Sequence, residues 1–395
     1  MDIQLSNRVK QVKPSPTLAV SAKAAELKAE GKDIIGLGTG EPDFDTPDFI
    51  KAAGIAAIEA GKTKYTAVDG TAELKQAIIE KFKRDNGLTF NHNNILVSSG
   101  GKQSFYNLAQ AMLNPGDEVI IPAPYWVSYP DMVLLADGKP VIVESSWETQ
   151  LKITPEQLEQ AINDKTRLFV LNSPSNPSGK AYTLNELKAL GEVLLKYPQV
   201  FVATDDMYEH ILWSDEGFNN ILNACPELTE RTIVLNGVSK AYAMTGWRIG
   251  YAGGPAPLIA AMKKIQSQST SNPCSIAQAA AAEAISGDQS CITPMLEAFK
   301  QRHDYVVKRL NSITGIKCLN SDGTFYAFPN CEAMIRQANM KTDVEFAAHL
   351  IDSVGLALVP GSAFGSPGYF RLSYAASLPT LEDALDRLEK AASAT

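Results

Sequence analysis

The sequence is poor in the residues that build metal and disulfide centres. Four histidines and five cysteines occur in 395 residues, and Cys225, Cys274, Cys291, Cys318 and Cys331 form no C-x-x-C pair. A zinc ribbon and a disulfide scaffold are thereby excluded, and the odd number of thiols fits a reducing compartment such as the cytoplasm. No run of about 18 apolar residues exists, so nothing is expected to span a membrane. Long basic runs are missing as well. With 36 basic against 44 acidic residues and a net charge of −8, the chain is a poor match for nucleic acid or an anionic membrane. The opening residues, MDIQLSNRVKQVKPSPT, contain no apolar run, so no signal peptide is expected. No internal repeat is found. What remains is ordinary for a globular enzyme, with 45% hydrophobic and 20% charged residues. At ~150 residues per domain, the length suggests two or three domains, or one large domain with a satellite.

Short apolar, β-branched runs alternate with helical segments through the middle of the chain. Residues 95–97, 118–121, 141–143, 167–171, 200–203 and 232–235 read as buried strands. A helix opens near Lys102 and stops at Asn114-Pro115-Gly116. Thr154-Pro155-Glu156-Gln157 and Thr183-Leu184-Asn185-Glu186 are capping boxes that open two more. The alanine-rich run 279–284 has helix-forming composition. This alternation predicts an α/β fold whose mostly parallel sheet is covered on both faces. Sites in such sheets lie outside the carboxyl ends of the strands. Beyond about residue 290 the pattern changes to a long helix over 293–311 and short strand-like pieces at 325–328 and 370–372. A smaller α+β unit is expected there, with the first 45 residues packing on it. The boundaries drawn are 46–288 for the large domain and 1–45 with 289–395 for the small one.

Several motifs carry chemistry. Gly36-Leu37-Gly38-Thr39-Gly40 lacks the third glycine and the helix of a dinucleotide loop, because Glu41-Pro42-Asp43-Phe44 follows. A turn where backbone approaches something closely is expected instead. Ser99-Gly100-Gly101-Lys102 follows a strand and opens a helix, an arrangement that offers free N–H groups and a cation to an anion. It is not a Walker A loop, and a plain strand-to-helix turn is its other reading. Asn172-Ser173-Pro174-Ser175-Asn176-Pro177-Ser178-Gly179 forms an irregular loop that presents an amide at a strand end. Asp205-Asp206-Met207-Tyr208-Glu209-His210 could place Asp206 and His210 on a metal, but no histidine or cysteine cluster completes the shell, and no metal is expected. A strand-end acid with a tyrosine three residues on suits a protonated heterocyclic nitrogen and a neighbouring oxygen. In Ser239-Lys240-Ala241-Tyr242-Ala243-Met244-Thr245-Gly246-Trp247-Arg248, a lysine after a strand is followed eight residues later by an arginine. A desolvated lysine loses its proton readily and forms Schiff bases, and an arginine offers a planar fork to phosphate.

Together these segments resemble the class I aminotransferases, pyridoxal-phosphate enzymes of fold type I. The resemblance runs from Gly40-Glu41-Pro42-Asp43-Phe44 and Tyr65 through Pro124-Tyr125-Trp126 to Tyr369-Phe370-Arg371-Leu372, nearly the whole chain. Gly40-Glu41-Pro42-Asp43-Phe44-Asp45-Thr46-Pro47 and Met244-Thr245-Gly246-Trp247-Arg248 look like the bacterial branch that includes aspartate and aspartate/prephenate aminotransferases. The resemblance implies a large cofactor-binding domain, pyridoxal 5'-phosphate as cofactor, and Lys240 as the catalytic lysine that holds it in a Schiff base. It implies that Asp205 pairs with the pyridine nitrogen, that Tyr208 and Asn176 bond the ring oxygen, and that Trp126 stacks on the ring. Arg248, the Gly101-Lys102 helix start and Tyr65 from a partner subunit would bind phosphate. Arg371, with the Gly40 backbone and beside Trp126 and Asn176, would take the substrate's α-carboxylate. A homodimer with shared sites and small amino-acid and 2-oxo-acid substrates follow. The expected reaction moves the amino group of aspartate or glutamate to 2-oxoglutarate or oxaloacetate. Aromatic amino acids or prephenate as substrates, or a β-lyase on the same fold, are the alternatives.

One departure concerns the substrate side chain. Dicarboxylate-specific members of the family read it with an arginine four residues before a Ser-Asn-Pro. Counting back from Ser271-Asn272-Pro273, that position here is Ser267. Another cation must serve, and Lys102 or Lys13 are the candidates, with hydroxyls from Ser15 and Thr17.

Overall fold

The computed structural model describes residues 3–393. Met1, Asp2, Ala394 and Thr395, the outermost residues of the expected small domain, lie outside them, and the signal-peptide expectation falls partly on the first two. The central sheet has seven strands: β1 (Ile95–Ser98), β2 (Glu118–Ala123), β3 (Lys139–Glu144), β4 (Thr166–Asn172), β5 (Phe201–Asp205), β6 (Thr232–Gly237) and β7 (Gly250–Gly253). Their order is β1-β7-β6-β5-β4-β2-β3. Strands β2 to β6 pair in parallel, and β7 runs antiparallel to both β1 and β6.

Alternate residues of the apolar strands feed two cores, as the two-residue period of a strand requires. Phe169, Leu171, Val202 and Val234 point to one face, under Leu187, Leu190 and Leu194 of the helix Leu184–Leu195. Leu168, Val170, Ala203 and Leu235 point to the other, under Phe105 and Leu108 of the helix Gly101–Met112 and Ile259 and Met262 of the helix Ala256–Ser267. Strand β7 was not legible beforehand, since two of its four residues are glycines and glycine is depleted in strands. Its position explains them. A Cβ on Gly250 would collide with the backbone of Gly100 and Gly101, and one on Gly253 would stand 2.9 Å from the Phe90 ring.

Beyond the sheet, Val359–Pro360, Phe370–Ser373 and Tyr326–Ala327 form a three-stranded antiparallel sheet. The helix Thr293–Ser312 packs on this region with Phe299, Val306 and Leu310 fully buried. Ile35 and Gly36 pair in parallel with Leu356 and Ala357, and the helix Pro16–Ala29 buries Ala24 and Leu27 against Ile34, Ile351 and Ala357. The N-terminal stretch therefore packs on the C-terminal part of the chain, as expected. Among the described residues no helix is long and apolar enough to cross a membrane.

The topology brings five carboxyl ends to one edge. Ser98, Ala123, Asn172, Asp205 and Gly237 close strands that run the same way, and each is followed within four residues by a candidate site residue.

Both anticipated capping boxes are formed. At the second, Thr183 Oγ1 accepts the Glu186 N–H, while Glu186 Oε2 accepts the Thr183 N–H and the Lys152 ammonium. Thr183→Ala should therefore cost about 1 kcal/mol, read as a lower urea midpoint with an unchanged slope. A midpoint equal to wild type would show that the cap contributes nothing.

Candidate active site

The strand ends surround a cavity of about 310 Å³. It is lined by Gly40, Gly101, Lys102, Trp126, Asn176, Asp205, Tyr208, Lys240, Arg248 and Arg371, among others. Ten of the eleven anticipated site residues thus meet in one place. The eleventh, Tyr65, stands outside it and is 92% exposed. Ser267 and Lys13 do not line the cavity either, whereas Lys102 and Thr17 do.

Charge is the dominant feature. Four cationic side chains line the cavity, Lys102, Lys240, Arg248 and Arg371, against two carboxylates, Glu41 and Asp205. Arg371 sits on the strand Phe370–Ser373 at 2% exposure. It donates to Asn176 Oδ1 at 2.8 Å and to the Gly38 carbonyl at 2.6 Å, and its Nε has no partner. The guanidinium lies over the Tyr326 and Phe364 rings, 4.4 and 5.0 Å from their centroids. Burial lowers its pKa. A buried guanidinium with no carboxylate of its own is half of a bidentate pair.

Lys240 follows β6 and donates to the Gly40 carbonyl at 2.6 Å. Burial, reinforced by Arg371 and Arg248, lowers its pKa to about 8, although Glu41 and Asp205 oppose the shift. Glu41 is held by the Thr245 hydroxyl. The turn between Lys240 and Arg248 therefore contacts the glycine-rich stretch at two points. Asp205 at the end of β5 accepts from the Tyr129 hydroxyl and from the Met207 N–H, the latter at 3.2 Å, and burial raises its pKa. Tyr208 shares a 2.9 Å hydrogen bond with Tyr326.

The turn 98–101 opens a helix, as anticipated. Gly100 (φ +89°) turns the chain into the helix Gly101–Met112, whose first N–H groups have no intrahelical acceptor. A Cβ on Gly100 would run into the Arg248 guanidinium. Arg248, itself left-handed at φ +57°, is fixed by the Thr245 carbonyl at 2.9 Å. Lys102 Nζ lies 5.2 Å from the Trp126 ring centroid, and burial followed by the nearby Arg248 lowers its pKa.

The excluded metal reading resolves differently. Asp206 is bonded by Thr204 and Asn220. His210 instead meets Asp85 and Glu209. The Lys81 ammonium pairs with Glu209.

These features match a known family. The family model for aminotransferases of class I and II matches residues 32–388. The chain belongs to that family. It is 63% identical to an aspartate/prephenate aminotransferase of Nitrosomonas europaea, covering 98% of this chain and 99% of that one. It is 56% identical to one of Cereibacter sphaeroides, with 98% of each covered. The aspartate aminotransferase structure from Rhizobium meliloti superposes with a TM-score of 0.96 at 48% identity, over 99% of each chain. That from Thermus thermophilus with maleate gives 0.93 at 41%, over 99% of this chain and 100% of that one. The mostly parallel sheet and its flanking helices are thus the type I aminotransferase fold.

Sequence reasoning missed Tyr129, Tyr326, Glu41 and Thr245. Glu41 and Thr245 lay inside quoted motifs, and Tyr129 lies three residues past Trp126. Tyr326 had only apolar neighbours to announce it.

Between pH about 8 and the ordinary lysine value of 10.5, the unfolded chain binds more protons at residue 240 than the folded one. Stability of the unliganded protein therefore rises with pH across that window, and the deficit is complete below it. Lys240→Met should raise the denaturation midpoint at pH 7, with the gap closing toward pH 10.5. A gap that is constant with pH would contradict the lowered pKa.

Proposed function

We propose that this aminotransferase moves the amino group of L-aspartate or glutamate to 2-oxoglutarate or oxaloacetate, using pyridoxal 5'-phosphate. The observation that carries the reading is the cavity's four cations against two carboxylates, one cation being a lysine with a pKa of about 8. A doubly anionic phosphate offsets that surplus of two, and Arg371, which has no carboxylate partner among the described residues, suits a substrate carboxylate. The residues present fit the cofactor. A glycine-lined helix start and Arg248 suit a phosphate, Asp205 suits a ring nitrogen, and the lysine amine is free enough of its proton to take a carbonyl.

When bound, the cofactor's pyridine ring supplies an electron sink for the substrate carbon that loses its proton. The chain's own residues do the rest. Arg371 binds the α-carboxylate through a two-pronged pair, with the Gly40 backbone beside it, and so fixes which substrate bond faces Lys240. Lys240 Nζ is the base that takes the proton from the substrate's Cα and then the acid that gives it up to a different carbon, two bonds away. Asp205, oriented by Tyr129, would pair with the ring nitrogen. Tyr208 and Asn176 would bond the ring oxygen, and Trp126 would stack on the ring. Arg248 and the Gly101 and Lys102 N–H groups would hold phosphate, joined by a Tyr65 side chain from a second copy.

Lys102 reads the substrate's side-chain carboxylate in place of the arginine that Ser267 replaces. Its ammonium lines the cavity, whereas Lys13 does not. The Thermus thermophilus aspartate aminotransferase structure is one with maleate, a dicarboxylate, which supports a dicarboxylate substrate. Prephenate also carries two carboxylates, and the two aspartate/prephenate aminotransferases among the relatives favour it as a second substrate. A homodimer is supported by Ile55, Ile58 and Tyr65, which are 57, 55 and 92% exposed on one helix and the loop after it. Separate packing of the helix Thr293–Ser312 and the N-terminal stretch supports domain boundaries near residues 45 and 289. Five unpaired thiols support a cytoplasmic location.

Two predictions separate the carboxylate roles. Arg371→Ala should lower kcat/KM for every amino-acid donor by about 30-fold or more, because each carries the α-carboxylate. Lys102→Met should lower it about tenfold for aspartate and glutamate alone. Steady-state assays across acidic, aromatic and alanine donors check both. A selective loss with Arg371→Ala, or a uniform loss with Lys102→Met, would show the roles misassigned. Lys240→Ala should abolish turnover while the fold persists by circular dichroism.

A further inference from the structure

Two segments serve the anion in the reading above, the turn 98–101 and the loop 62–71 that carries Tyr65. Strand β1 joins them. The Asp69 carbonyl accepts the Val97 N–H at 3.1 Å, and a Cβ on Gly70 (φ +105°) would stand within 2.8 Å of Val97 Cβ. The loop therefore lies flush on the strand that runs directly into Ser99-Gly100-Gly101. Asp69 is also clamped by Lys75 at 2.6 Å and Lys263 at 2.9 Å.

At the centre of this contact is Gln266, with no exposed surface. Its Nε2 donates to the Val68 carbonyl at 2.7 Å and the Val97 carbonyl at 2.8 Å. Its Oε1 accepts from Ser98 Oγ at 2.7 Å and from Asn107 Nδ2 at 2.9 Å. All four hydrogen-bonding positions of the amide are used. An apolar side chain of equal size would fill the space but leave the Val68 and Val97 carbonyls, the Ser98 hydroxyl and the Asn107 amide without these bonds. What the amide adds is attachment: Val68 is three residues past Tyr65, Ser98 opens the turn, and Asn107 is on the cradle helix. Lys263 belongs to the same helix as Gln266, so the helix Ala256–Ser267 grips the loop twice.

We propose that Gln266 is a positioning residue for phosphate recognition. It holds the turn 98–101 in register for its own subunit's anion and the Tyr65 loop in register for the anion of a second copy. The inference rests on the cofactor reading above.

Binding of pyridoxal phosphate and of unphosphorylated pyridoxal to the unliganded protein, followed by tryptophan fluorescence, tests it. Gln266→Met should weaken pyridoxal phosphate about tenfold and leave pyridoxal unchanged. Ser98→Ala removes one of the four bonds and should give a smaller shift of the same selectivity, should the first variant fold poorly. A role in stability alone would weaken both ligands equally, and that result overturns the proposal. So does full affinity in both variants while wild type still prefers the phosphorylated ligand. Wild-type protein that does not prefer it would instead refute the anion-site reading, and the proposal with it. Hybrid dimers address the second copy. A chain with both Lys240→Ala and Gln266→Met, paired with a wild-type chain, leaves one site with a lysine and an unaltered cradle. Weakened phosphate binding there supports the lent loop, and full affinity overturns that half of the proposal.

Discussion

Arg371 is buried without a carboxylate beside it, and much of the site is arranged around that uncompensated charge. Taking a guanidinium out of water is costly unless its donors are satisfied. Here the satisfaction comes from separate segments, the Gly38 carbonyl, the Asn176 amide and the faces of Tyr326 and Phe364. The Arg371 Nε has no partner among the described residues. The same charge acts at a distance. After burial it is the largest influence pushing the Lys240 pKa down toward 8. A carboxylate that neutralised Arg371 would remove one of the influences that lower the Lys240 pKa.

The sheet supplies the geometry. Parallel strands end at one edge, and short turns after β2, β4, β5 and β6 deliver Trp126, Asn176, Asp205 with Tyr208, and Lys240 to one cavity. The single antiparallel strand β7 completes it. The chain leaves β6, presents Lys240, loops back past Thr245 and Arg248, and re-enters at Gly250 against the Gly100-Gly101 backbone. A lysine and an arginine eight residues apart thereby line the same cavity.

The strand-end motifs were legible because strand, turn and functional residue are adjacent in sequence. Asp205 follows an apolar β-branched run, and Lys240 follows another. Contacts made between distant segments left no such trace. Tyr129 orients Asp205 from 76 residues away, and Tyr326 meets Tyr208 from 118. Gln266 reads in sequence as a polar residue near the end of a helix. Strand β7 was hidden by its glycines, which are needed for close approach to the cradle and not for pairing. Tyr65 was named from the family resemblance alone, and it stands outside the cavity at 92% exposure.

The central claim is a half-reaction that needs no second substrate. The most direct measurement is the absorption spectrum of the protein loaded with pyridoxal phosphate, before and after L-aspartate is added with no oxo acid present. The account predicts that the visible band of the lysine-bound cofactor disappears, that the near-ultraviolet band of its aminated form grows, and that one oxaloacetate is released per site. A visible band that persists with aspartate and with glutamate, or ammonia released while the band is retained, would contradict it.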